Sequence, residues 1–322
     1  MEPRQLRGTD LKVSRLCFGT MTFGKQVDNE TACNMVSRCL DEGINFFDTA
    51  NAYQTGVSET YLGGALKGRR NKAVLASKVY GRMGAEPDQH GLSRAAIHRA
   101  IEESLRRLQT DYLDIYYLHQ PDYEVPVEET LAAMDELVRS GKVRWVGTSN
   151  FASWQVCEML KLAAVRGYKP APVAQQMYNL IARGLEEEFI PFARQNNVSI
   201  IAYNPLAGGL LTGKHSQSKI IPGTRFDDNR MYQDRYWHEQ NFEAVAALAE
   251  TAKKAGLSLV SLAFGWLLQQ AAVDCVILGA SRPEQLKENL EACKEGAIAP
   301  ELLRKCDEVW RRLRGPFPTY NR

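Results

Sequence analysis

Ile44-Asn45-Phe46-Phe47-Asp48-Thr49-Ala50-Asn51-Ala52-Tyr53 is a short apolar run that ends on an acid and passes into a polar loop carrying a tyrosine. A carboxylate at the mouth of a buried strand costs solvation free energy unless an opposite charge meets it there. Taken alone, Asp48 reads as an ordinary helix cap and Tyr53 as a loop aromatic. The recurrence of the same unit along the chain decides against that reading. Strand-like runs rich in β-branched and aromatic residues occupy Leu16 to Thr20, Asn45 to Ala50, Ala73 to Val79, Asp114 to Gln120, Val143 to Asn150, Val173 to Asn179, Ser199 to Pro205 and Cys275 to Ala280. Amphipathic helical segments lie between them.

The helices carry ordinary signals: Asp28 or Asn29 caps the segment to Leu40, Ser93 caps Arg94 to Leu108, and Val127 to Ser140 stops at Gly141. Strands too apolar to face water on either side, alternating with helices, imply a parallel sheet covered by helices. Eight such units favour an α/β fold closed as a (β/α)₈ TIM barrel over an open sheet. The turn composition at Gly8-Thr9-Asp10 predicts an N-terminal β-hairpin. Two segments exceed the repeat: a long loop after strand 7, from Leu206 to Gln240, and an extra C-terminal helix from Pro300 to Arg314. No linker interrupts the chain, so residues 1–322 read as one domain.

With 322 residues and 44% apolar composition the chain can bury a sizeable core, and 40 Lys+Arg against 38 Asp+Glu leave no field that favours nucleic acid or membrane. The basic runs at Arg69-Arg70-Asn71-Lys72 and Arg311-Arg312-Leu313-Arg314 read as solvated surface. No signal-peptide or membrane-length apolar run is found, and seven cysteines without a Cys-x-x-Cys pair read as reduced core residues, so a cytoplasmic location is expected. The histidines show no ligand spacing, so no metal is expected. Oligomeric state is not legible.

Polar residues fall at the strand ends: Asp48, Lys78, His119, Ser149 and Asn150, Gln175, Tyr203, and Ser281 with Arg282. In a barrel these ends converge on one rim. Side chains two apart share a face, and Val74, Ala76 and Lys78 are in phase, as are Ile115, Tyr117 and His119, and Phe46 and Asp48. Each polar residue thus continues an interior row. A free tyrosine, with a pKa of roughly 10, is a poor proton donor near neutrality. A buried ammonium beside it changes that, and a carboxylate balances the ammonium. The expected relay is Tyr53, Lys78, Asp48, with His119 orienting a carbonyl. The accompanying hydride has to come from a cofactor. Ser149-Asn150, Gln175 and Tyr203 offer an amide-recognising group and an aromatic platform for a nicotinamide. Ser281 and Arg282 at a helix N-terminus offer an anion site that favours NADP over NAD.

The chain resembles the aldo-keto reductase superfamily nearly end to end. The motifs are Gly19-Thr20-Met21, Asp48-Thr49-Ala50 with Tyr53, Ser77-Lys78, Leu118-His119-Gln120-Pro121, Gly147-Thr148-Ser149-Asn150, Tyr203-Asn204-Pro205-Leu206 and Gly279-Ala280-Ser281 with Glu288-Asn289. The resemblance implies an NADP(H)-dependent reductase of small-molecule aldehydes or ketones, with Tyr53 as general acid, Lys78 and Asp48 tuning it, and His119 binding the carbonyl. It further implies that Ser149, Asn150 and Gln175 hold the carboxamide and that Tyr203 stacks on the nicotinamide. Leu206, Gly208, Lys214 and Arg225 fall to the pyrophosphate and adenine, Ser281, Arg282, Gln285 and Asn289 to the 2′-phosphate end, and Ala207 and Glu288 to the same cofactor site. The motif residues Gly19, Thr20, Met21, Asn204, Pro205 and Gly279 complete the cofactor set.

Leu211-Thr212-Gly213-Lys214 looks closest to bacterial reductases and potassium-channel β-subunits within that superfamily. Asn204, where many relatives have serine, and Gln176-Met177 depart from the pattern. A regulatory NADP-binding module is the alternative, and it does not require the complete relay. Two other classes explain less. Gly208 to Lys214 fits a phosphate loop, but His215 stands where that loop requires Ser or Thr. An aldolase using Lys78 as a Schiff base leaves Ser149, Tyr203 and Arg282 without a role.

Overall fold

The alternation read from the sequence closes on itself. The computed structural model describes residues 3–316. A two-stranded antiparallel hairpin, β1 (Arg4–Gln5) and β2 (Lys12–Val13), precedes eight strands: β3 (Leu16–Gly19), β4 (Phe46–Asp48), β5 (Val74–Val79), β6 (Leu113–Leu118), β7 (Val143–Ser149), β8 (Val173–Met177), β9 (Ser199–Tyr203) and β10 (Val273–Gly279). They form a closed barrel in the order β10-β3-β4-β5-β6-β7-β8-β9. Helices α1 (Asn29–Asp41), α2 (Val57–Leu66), α3 (Arg94–Leu108), α4 (Val127–Arg139), α5 (Ser153–Arg166) and α6 (Phe189–Gln195) alternate with the strands. Between β9 and β10 come α7 (Arg230–Tyr236), α8 (Glu239–Lys254) and α9 (Leu259–Gln269), and after β10 come α10 (Pro283–Ala292) and α11 (Pro300–Arg314). The expected caps are present: Asp28 accepts from the Thr31 amide at 2.8 Å and Ser93 from the Ala96 amide at 3.2 Å.

Contacts divide the chain into two compact units. The first, residues 1–176, 187–203 and 272–287, holds the barrel. Its interior contains the rows predicted by strand phase, Phe46, Val74, Ala76, Ile115 and Tyr117, packed together with Cys17, Val173, Ile201, Cys275 and Ile277. Leu6, Leu11 and Val13 of the hairpin join that same cluster, so the hairpin plugs one end of the barrel. Tyr117 fills the interior beside Gly147, its register partner on β7. A Cβ on Gly147 would lie 2.4 Å from the Tyr117 ring, which is why only glycine fits there.

At the strand starts, Asp274 accepts from Arg7 at 2.7 Å and from the Ile200 amide at 2.9 Å. Asp114 accepts from Arg70 at 2.8 Å, Arg144 at 2.8 Å and the Leu75 amide at 2.9 Å. Arg70 is therefore a structural partner of a buried acid. This corrects the expectation that its basic run is mere solvated surface, because Asp114 inside the β6 start requires a counter-charge.

The second unit comprises residues 177–186, 204–271 and 288–322, described to 316. Arg183 organises part of it, bonding Glu186 and Asp307, each at 2.7 Å, while its guanidinium lies over Trp266. The long loop is built on a short 3₁₀ turn, Ala207–Thr212, followed by an aromatic cluster in which Phe226, Trp237 and His215 meet edge to face. Tyr232 packs on Phe226 as well, so Tyr232 and Trp237 pack the loop itself. The turn does not open a long helix as a phosphate loop does, and His215 is buried among aromatics.

Replacing Gly147 with alanine is expected to lower stability by about 1–3 kcal/mol through overpacking against Tyr117. A urea denaturation midpoint equal to the parent's would show that the ring has room to move.

Candidate active site

Backbone register brings the polar strand ends together before any side chain acts. Gly19 pairs with Asp48, Asp48 with Ala76, Lys78 with Tyr117, Tyr117 with Gly147, and Ser149 with Gln175. Lys78 has no exposed side-chain surface and its partner Asp48 only 4%. The ammonium donates to Asp48 Oδ1 at 2.5 Å, the Thr49 carbonyl at 2.7 Å and the Tyr53 hydroxyl at 3.3 Å, which engages all three of its protons. Burial by itself opposes that charge, but the Asp48 carboxylate and then the Tyr53 phenol outweigh it, and Lys78 is held above the usual lysine range. The second oxygen of Asp48 accepts from Gln175 Nε2 at 2.8 Å, and its backbone carbonyl accepts from the Thr20 amide at 2.9 Å.

Tyr53 stands on an unusual piece of backbone. Gln54, Thr55 and Gly56 are all left-handed, with φ of 49°, 51° and 92°. For the two non-glycine residues this costs on the order of 1–3 kcal/mol each and persists only where neighbours over-determine it. They do so here. A Cβ on Gly56 would fall 2.7 Å from the Arg107 side chain, which fills that space. Arg107 pairs with the fully buried Glu59 at 2.6 Å, and Glu59 accepts from Ser77, the residue before Lys78, at 2.5 Å. Ser58 bonds Thr20 and Thr49, at 2.8 and 3.0 Å. Sequence reading passed over Glu59, Arg107 and Ser58, although a Glu inside an apolar helix face was a usable signal.

His119 lies one residue past β6, with its ring edge-to-face against Tyr53 at 5.9 Å between centroids. Burial, with the Lys78 ammonium next, pushes its pKa down to about 3, so the imidazole is neutral at physiological pH. Asn150, left-handed at φ 64°, donates to the His119 carbonyl at 2.9 Å and to Ser149 Oγ at 3.1 Å, and accepts from the Tyr203 hydroxyl at 2.5 Å. Its amide thus braces three neighbours. Gln175 directs its NH₂ to Asp48 and Ser149 Oγ accepts from Asn150, so these register partners on adjacent strands keep an acceptor oxygen and a hydroxyl donor, the complement of a carboxamide.

Past β10, Gly279 is exposed, Ser281 donates through its amide and hydroxyl to Gln285 Oε1 at 2.8 and 3.1 Å, and Arg282 is exposed. Gln285 therefore caps its own turn. Met21 is 37% exposed. Asn204, Pro205, Leu206, Ala207, Gly208, Lys214, Arg225, Glu288 and Asn289 belong to the second unit. There Asn204 accepts from Tyr232 at 3.2 Å, Arg225 lies over the Tyr232 ring, Lys214 and Glu288 are exposed, and Pro205 and Asn289 are buried. Among the described residues no group of three His, Cys, Asp or Glu could hold a metal ion, and no helix is long and apolar enough to cross a membrane.

A barrel whose rim joins a phenol, a buried ammonium, a carboxylate and an imidazole has its counterpart among known proteins. The model of the aldo/keto reductase family matches residues 15–311. The chain belongs to the aldo/keto reductase family. It is 38% identical to human aflatoxin B1 aldehyde reductase member 2, over 95% of this chain and 89% of that protein. It is 37% identical to the uncharacterized oxidoreductase YrpG of Bacillus subtilis, over 99% and 98%. It is also 34% identical to a probable voltage-gated potassium channel subunit beta of Arabidopsis thaliana, over 96% of each. As an aldo/keto reductase the chain is an oxidoreductase whose family exchanges hydride between NAD(P)H and carbonyl compounds. The Lys78–Asp48 pair of this aldo/keto reductase rests on burial of both charges.

Lys78→Met is therefore expected to strand the Asp48 carboxylate and cost about 3–5 kcal/mol, whereas Lys78→Met with Asp48→Asn should recover much of it. Urea denaturation of both variants at neutral pH checks this, and equal midpoints would show that Asp48 finds another partner.

Proposed function

We propose that this aldo/keto reductase reduces aldehydes or ketones to alcohols with NADPH, and that Tyr53 delivers the proton. One observation carries the reading: a fully buried lysine, neutralised by Asp48, donates to the Tyr53 hydroxyl at 3.3 Å. Because Lys78 donates to the phenol oxygen, the phenol's own proton points away from the ammonium, and it is the proton this reading hands to a substrate oxygen. As that proton leaves, the ammonium 3.3 Å away stabilises the phenolate. His119, neutral and without a protein partner for its ring nitrogens among the described residues, donates a hydrogen bond that orients the carbonyl. A nicotinamide supplies the hydride.

The cofactor set rests on donor chemistry. Ser149 and Gln175 offer a carboxamide its complementary donor and acceptor, and Tyr203, braced by Asn150, offers a ring face. Arg282, exposed at the start of α10, suits the 2′-phosphate that distinguishes NADPH from NADH. Leu206, Ala207, Gly208, Lys214, Arg225, Glu288 and Asn289 are assigned to the remainder of the nucleotide on family likeness. The seven cysteines are all free thiols, in keeping with a cytoplasmic location. A regulatory module without turnover would not need a buried lysine and carboxylate behind a phenol, so the catalytic reading is preferred.

Tyr53→Phe should retain nucleotide affinity, followed by protein fluorescence, while carbonyl reduction falls by roughly 10²–10⁴-fold. Reduction at the parental rate would place the proton donor elsewhere. Arg282→Ala is expected to weaken NADPH binding much more than NADH binding in the same titration. Equal losses would overturn the 2′-phosphate assignment.

A further inference from the structure

We infer that the outward face of α5 is the surface through which two copies of this chain pair about a two-fold axis. The buried side of this helix consists of Val156, Met159 and Ala163. Its other side is unusually apolar for a surface helix: Trp154 is 62% exposed and Val165 81%, with Cys157 and Leu162 half-buried beside them. Trp154, Cys157, Glu158, Lys161, Leu162 and Val165 line one surface hollow. Their spacings of three, four, seven, eight and eleven residues make a continuous stripe along the helix. Glu158 and Lys161, exposed in its middle, pair with each other or with any other group nowhere among the described residues.

The stripe is complementary to itself. Its six positions are symmetric about the midpoint between Met159 and Leu160. An antiparallel copy of α5 therefore sets Trp154 on the partner's Val165, Cys157 on the partner's Leu162, and Glu158 on the partner's Lys161. A two-fold axis makes each contact twice, the defining property of an isologous interface. The central charges select this arrangement, since a parallel pairing sets Glu158 against glutamate and Lys161 against lysine. Opposite charges at the centre with apolar contacts at both ends favour a second copy of the chain over a partner of unrelated surface. One helix face is smaller than the roughly 800 Å² per partner of a standard interface. The pairing is accordingly reversible, with dissociation in the micromolar range or weaker.

The argument is independent of the proposed catalytic chemistry, and α5 contributes none of the residues assigned to it. The test is sedimentation equilibrium of the full chain from about 5 to about 500 µM, a span chosen to bracket such an affinity. Wild type should pass from monomer toward dimer. Glu158→Lys alone and Lys161→Glu alone should each weaken dimerisation at least tenfold, because each puts like charges together twice. An equimolar mixture of these two variants should restore it as a heterodimer, and the double variant carrying both changes should dimerise as wild type does. Trp154→Ala should weaken pairing without altering carbonyl reduction per chain. A wild type that stays monomeric throughout would overturn the proposal. So would an oligomer indifferent to the charge reversals, or single variants that are not rescued by mixing.

Discussion

The ion pair between Lys78 and Asp48 is the interaction on which the rest of the site depends. Two opposite charges removed from water are tolerated only when every remaining donor and acceptor is also satisfied. Here Lys78 uses its three protons on Asp48, the Thr49 carbonyl and Tyr53, and Asp48 gives its second oxygen to Gln175. The pair therefore ties β4, β5 and β8 together across the barrel mouth. It also makes the lysine's charge permanent in a place where water does not screen it. That unscreened charge acts on Tyr53 and adds to the burial that keeps the neighbouring His119 neutral.

The phenol is positioned by a second layer of buried charge. Three successive left-handed residues after Tyr53 form a turn that isolated chain would not adopt. Arg107 occupies the space beside Gly56, and Glu59 joins Arg107 to Ser77 next to Lys78. The strain in the turn and the cost of burying Glu59 are linked: the same α3 arginine answers both. Strain kept where a reacting group must be presented is a recurrent feature of functional sites.

The barrel has two poles with different tasks. At the strand starts, Asp114 and Asp274 each take arginines from outside and a backbone amide from the neighbouring strand, so their hydrogen bonds close the barrel seam. The hairpin seals that end with Leu6, Leu11 and Val13. At the strand ends the polar groups point into one mouth, where Lys78, Asp48, Gln175 and Tyr53 are tied to one another. Charge at the first pole stabilises the fold, and charge at the second is available for chemistry, in line with the division of labour in barrels of this class.

Much of this was legible beforehand because it follows from period and order. Two-residue alternation placed Lys78 above Ala76 and Val74, and Asp48 above Phe46, and eight alternating units implied closure. Most strand ends fall one or two residues short of the sequence pattern, although β5 ends at Val79 as expected: His119 and Asn150 lie just outside β6 and β7, where loop backbone replaces the ladder. The sequence by itself determined the element order, the interior rows and the residue types available for proton transfer, since these depend on local pattern. Only the tertiary structure decided who bonds to whom. It directed Gln175 to Asp48, made Asn150 a brace, seated Tyr53 on a strained turn through Arg107, and turned Arg70 inward to Asp114. Each of these joins residues at least 25 positions apart in the chain, and such pairings arise from barrel register and from the cost of leaving a buried charge alone, neither of which is written in any short stretch of sequence.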